Sequence, residues 1–109
     1  MARQDALKGS LPLLVLKLLA RRGPLHGYAI ATQIENMSDE MLRVEEGSLY
    51  PALHRLERAA FLTSRWSEVN GRRRRVYQLT KKGQRALATR HGEWRDFARA
   101  VHAVVDGVV

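Results

Sequence analysis

Four consecutive arginines, Arg72 to Arg75, stand directly behind an Asn70-Gly71 pair. Asn and Gly both tolerate the positive φ angles of a two-residue hairpin loop, so the arginines begin the return arm of a β-hairpin. Adjacent guanidinium groups repel one another unless an anion or the solvent takes up their charge. Side chains on a strand alternate between its two faces, so two arginines are expected to face a partner and two to flank it or cover the body of the domain. A second group suited to the same partner lies upstream, in the stretch Glu45 to Arg58. At about 100° per residue, Leu49, Leu53 and Leu56 share one face, while Gly47, Pro51, His54 and Arg58 turn away from it, flanked by Tyr50 and Arg55. That outward face is slim, aromatic and basic. Small residues at Gly47 and Pro51 allow close approach to a groove floor, Tyr50 and His54 can bond base edges or touch a thymine methyl, and Arg55 or Arg58 can reach phosphate or guanine. An ordinary solvated helix face fits the same pattern, and the basic hairpin behind it favours nucleic acid.

Bulk composition agrees. Nineteen Lys and Arg against eleven Asp and Glu leave a net charge of +8 over 109 residues, which points to a polyanion and bounds the chain at one domain. The absence of cysteine excludes disulfides, thiolate zinc sites and cysteine nucleophiles, and fits a reducing cytoplasm. No apolar run approaches the ~18 residues of a membrane span, and the start does not read as a signal peptide; a cytoplasmic protein with no membrane partner is expected. Catalysis is not expected either. Asp39-Glu40 and Glu45-Glu46 are acidic pairs in polar surroundings, with nothing apolar to raise a carboxyl pKa. The four histidines, His26, His54, His91 and His102, include no pair at metal-binding helical spacing. No catalytic residue, metal site or cofactor is assigned.

The elements that must hold these residues follow from periodicity. Leu11, Leu14, Val15, Leu18 and Leu19 write a first helix, with Ser10 as its N-cap, Pro12 in its first turn and Gly23-Pro24 at its end. A second helix over His26 to Asn36 places Ile30 and Ile34 in the core, with Tyr28 and Ala31 beside them. Met37 to Glu45 is a polar connection. A third helix starts near Ser48 as cap, with Pro51 at about its third position. From Leu62 the pattern changes to period two, giving the hairpin around Asn70-Gly71. Thr80 then caps a long last helix running towards Val105. The class is mainly α with a β-hairpin, in the order of a winged helix-turn-helix, whose third helix is the one that enters the DNA major groove.

Leu25-His26-Gly27-Tyr28, the run Gly47 to Glu57 and the run Asn70 to Thr80 together resemble the PadR-like transcriptional regulators, of the short kind without a separate C-terminal domain. The resemblance spans about residues 7 to 100. It implies a homodimeric repressor of double-stranded DNA, with a winged helix-turn-helix over residues 1–79 and a C-terminal dimerisation helix over residues 80–109. Gly47, Ser48, Tyr50, Pro51 and His54 fall on the family's recognition-helix motif, and Gly71 with Arg72, Arg73, Arg74 and Arg75 on its wing motif. Ala60 departs from the pattern, which has Gly there. If that backbone needs positive φ, alanine carries strain.

Dimerisation also has a reading independent of the family. Leu87, Trp94, Val101 and Val108 recur at seven-residue spacing on the last helix, and Trp94, Phe97, Ala98, Val101 and Val105 form a stripe too long for the rest of the chain to cover. Arg90 and His91 interrupt it, so the seam is expected to begin near Trp94. With no second domain expected, a sensor has few places except this seam, where two Trp94 rings can sandwich a planar aromatic effector. The alternative from another class is a winged helix used for protein or RNA contacts, since fold does not fix function.

Overall fold

The computed structural model describes residues 2–107. Helix α1 spans Ala2–Arg22, strand β1 Leu25–His26, α2 Gly27–Met37, α3 Glu46–Arg58, β2 Leu62–Val69, β3 Arg72–Leu79 and α4 Lys81–Asp106. The sheet is antiparallel with strand order β1-β3-β2. Four helices carrying this hairpin make a winged helix.

The core is wholly apolar among the described residues. Leu7, Leu11, Val15, Leu16, Leu18 and Leu19 of α1 meet Ile30 and Ile34 of α2, Leu49, Leu53 and Leu56 of α3, Leu62 and Tyr77 of the sheet, and Leu87 of α4. Leu7 explains why α1 does not start at Ser10. It lies one turn before Leu11 on the same face and is buried, so packing carries the helix through Gly9, Ser10 and Pro12 despite their weak propensities. Ser10 is therefore mid-helix and caps nothing. At the other end the Gly23 N–H bonds the Leu19 carbonyl at 3.0 Å with φ at +82°, a left-handed stop.

The start of α3 also differs from expectation. Glu45 is the N-cap, through its backbone alone, and Ser48 is the third helical residue, which moves Pro51 to the sixth. The preceding connection is ordered by Glu35, whose carboxylate accepts the Val44 N–H at 3.1 Å, and by Ser38, whose hydroxyl accepts that of Leu42 at 3.0 Å. These bonds hold Val44 in the core and so fix where α3 begins.

At its C-terminus α3 stops in a Schellman turn: Phe61 N–H bonds the Leu56 carbonyl at 3.0 Å and Ala60 N–H that of Glu57 at 2.9 Å. Ala60 sits at φ +66°, the strained conformation its position implied. The hairpin turn has Asn70 at +52° and Gly71 at +76°, as a type I′ loop requires. Thr80 caps α4 as expected, its hydroxyl accepting the Gly83 N–H at 2.9 Å while donating to the Ala60 carbonyl at 2.7 Å. The helix then runs to Gly107, and Val108 of the apolar stripe lies outside the described residues.

Candidate nucleic-acid interface

The hairpin register divides the four arginines. Arg73 and Arg75 pair across the strands with Glu68 and Trp66, on one face of the ribbon, and Arg72 and Arg74 with Val69 and Ser67 on the other. Both guanidinium groups on the first face lie over the exposed Trp66 ring, Arg73 at 4.8 Å and Arg75 at 5.4 Å from its centroid. Such cation–π contacts hold a long side chain extended while leaving its charge available. Arg75 also reaches Glu57 of α3 at 3.7 Å, and Glu57 accepts the Ser64 hydroxyl at 2.5 Å. The wing is thereby tied to the last turn of α3.

Arg74, on the opposite face, packs against the body of the domain. Its Nη1 lies 2.7 Å from Nε2 of His26, whose Nδ1 is 3.3 Å from the Ala29 N–H at the start of α2. A neutral imidazole has one lone pair, so the helix cap and the arginine compete for it, and a protonated ring serves neither. Burial first, and the Arg74 charge second, push the His26 pKa below its ordinary value.

All four arginines line one groove with His26, Gly27, Tyr28, Tyr50, Trp66 and Tyr77, of about 730 Å³. On α3, Gly47, Pro51, His54, Arg55 and Arg58 are exposed, and Tyr50 is 40% exposed at the groove's edge. Ser48 is half-buried and borders this face, one turn before Pro51 and two turns before Arg55. Tyr28 is a correction: expected beside the core, it is 71% exposed and stacks nearly parallel to His26, their centroids 6.4 Å apart. It lies two residues from Ile30, about 200° around the helix, and that angle was the available signal. His26 could not have been found so, because β1, which carries it to Arg74, is only two residues long.

The C-terminal stripe is open. Phe97 is 67% exposed and Val105 74%, with Val101 exposed, Ala98 half-buried and Trp94 48% exposed. Trp94 and His91 line an apolar cavity of about 400 Å³ with Leu7, Leu13, Leu14 and Leu42. Among the described residues there is no cluster of His, Cys, Asp or Glu able to hold a metal, and no helix is long and apolar enough to cross a membrane.

The model of the transcriptional regulator PadR-like family matches residues 15–89. Over 67 residues the chain is 42% identical to the transcriptional regulator Rv3488 of Mycobacterium tuberculosis, covering 62% of this chain and 63% of that one. A transcriptional regulator from Clostridium thermocellum superposes with a TM-score of 0.86 at 29% identity, over 93% of this chain and 98% of the other. Bacillus subtilis PadR, solved in complex with operator DNA, superposes with a TM-score of 0.65 at 28% identity over 72% of this chain and 45% of its own.

Proposed function

The chain belongs to the transcriptional regulator PadR-like family, and from that premise we propose that it is a cytoplasmic homodimeric repressor binding an inverted repeat in duplex DNA. The observation that carries this reading is the convergence of Tyr50 and the four wing arginines on one groove beside the exposed face of α3. The slim N-terminal half of α3, with Gly47, Tyr50, Pro51 and His54, enters the major groove, Arg55 and Arg58 reach phosphate or guanine at its flank, and Gly71 and the wing arginines follow the neighbouring backbone. Residues 1–79 hold the DNA and residues 80–109 pair the subunits, the stripe from Trp94 to Val105 meeting its copy. Two-fold symmetry then sets half-sites ~34 Å apart or a multiple of it. The complex of Bacillus subtilis PadR with operator DNA supports the same partner.

The test is competition binding with duplex, single-stranded and RNA oligonucleotides carrying the inverted repeat of the chain's own promoter. Preference for the duplex over a scrambled duplex is the expected result. Equal binding to all, or none, returns the fold to protein or RNA contacts.

The cavity beside Trp94 supports a second element, relief of repression by a planar aromatic effector stacked on the indole. A ligand that favours the DNA-free arrangement of the two α4 helices releases the operator. Fluorescence titration of Trp66→Phe, which leaves Trp94 as the sole tryptophan, checks this: saturable quenching must accompany loss of operator affinity.

A further inference from the structure

Gly27 opens α2 without any backbone need for glycine. The positive-φ glycines among the described residues are Gly23, Gly71 and Gly107, and an ordinary helical position favours alanine over glycine. What requires glycine is space. A Cβ on Gly27 would stand 2.7 Å from Oη, 2.9 Å from Cε1 and 3.0 Å from Cζ of Tyr50, closer than non-bonded atoms approach. The same construction at Gly9, Gly47 or Gly92 meets nothing within 4 Å. Gly27 is buried while Tyr50 keeps a face open to the arginine-lined groove, so the bare backbone of α2 is a seat for the outer end of the phenol ring.

We propose that Gly27 is a positioning residue for Tyr50, fixing the direction in which the phenol meets DNA while touching no DNA itself. The inference rests on the reading of α3 as the base-contacting helix. A methyl group at Gly27 collides first with the far end of a side chain that has two free torsions, its three nearest atoms all belonging to Tyr50, so the ring swings aside and the fold is kept. Base contacts depend on the angle of approach, whereas phosphate contacts by Arg72 to Arg75 do not pass through Tyr50. The weakening is therefore confined to the specific complex.

The experiment compares Gly27→Ala, Tyr50→Ala and the double variant on a duplex selected by the wild-type protein from a random pool, and on a scrambled duplex of equal length. Gly27→Ala should melt like wild type, bind the scrambled duplex with unchanged affinity and salt dependence, and bind the selected one about tenfold more weakly. The double variant should be no weaker than Tyr50→Ala alone, because the residue being positioned is gone. Wild-type binding by Gly27→Ala, or single effects that multiply in the double variant, overturns the proposal. If Tyr50→Ala costs nothing on the selected duplex, the reading of α3 fails and the proposal with it, a distinct result. Should Gly27→Ala lower the melting temperature, adding Tyr50→Ala must restore it; without restoration the glycine serves something other than Tyr50.

Discussion

In the proposed complex Tyr50 and His54 meet base edges while Arg73 and Arg74 meet phosphates, and mutation should separate the two tasks. Replacing Tyr50 or His54 with Ala is expected to cost about 1–3 kcal/mol on the operator with little change on other sequences. Removing Arg73 and Arg74 together should weaken all duplexes alike and flatten the salt dependence by roughly one unit for every phosphate that each subunit no longer neutralises. Binding titrations at several salt concentrations check both, and a change of base preference in the arginine variant would assign the wing to base reading. His26 carries a pH effect. Its folded pKa lies below the ordinary value, so the neutral ring is favoured in the native state; the stability this gives is present above about pH 6.5 and is lost as pH falls through the depressed pKa. Urea unfolding at about pH 7.5 and about pH 5 should show a drop in stability that His26→Asn reduces, since Asn still caps α2 but does not titrate. Equal pH dependence in both proteins would assign it elsewhere. The wing arginines and the outward side of α3 were legible because alternation and helical period fix directions locally. The Arg74–His26 contact was not, since it joins residues 48 apart through a strand too short to leave a pattern.

The turn between α3 and β2 is where one local choice opposes the fold. Left-handed alanine at Ala60 costs about 1–2 kcal/mol, against the ~0.5–1 kcal/mol that glycine loses in chain entropy. Ala60→Gly should therefore stabilise by roughly 0.5–1 kcal/mol and raise the melting temperature by a few degrees. No increase in calorimetry would mean that the surrounding bonds already relieve the strain. The four helices and the two hairpin strands were readable as types, because Leu49, Leu53 and Leu56 recur at helical period, β2 and β3 alternate, and Thr80 is a cap; β1 was not, and His26, expected at the start of α2, belongs to that strand. The helix starts were less legible. Ser48 has the chemistry of a cap, yet Glu35 and Ser38 anchor the loop so that the helix begins at Glu46. Similarly, Pro12 looked like a first-turn residue until the burial of Leu7 extended α1 past it.

The molecule measures 55 × 29 × 21 Å, and α4, 26 residues long, runs beside α1 as far as Trp94 and Phe97 before its exposed end. If the exposed stripe is the dimer seam, Phe97→Glu with Val101→Glu should give a folded monomer in sedimentation whose operator affinity falls at least about a hundredfold, because each half-site is then bound alone. A variant that stays dimeric would place the seam elsewhere. Thr80 gives this geometry a mechanical meaning. One hydroxyl joins the first turn of α4 to the Ala60 carbonyl, where α3 ends and the hairpin starts, so the winged domain cannot turn on α4 without breaking that bond. The stretch of α4 from Lys81 to the middle of that seam is then a lever of about 30 Å with its pivot there. A tilt of roughly 5° there sweeps the far end through about 3 Å, comparable to one base-pair step. A regulator built this way needs no soft hinge within the subunit: a small rotation at one end is geared up into a misfit at the other.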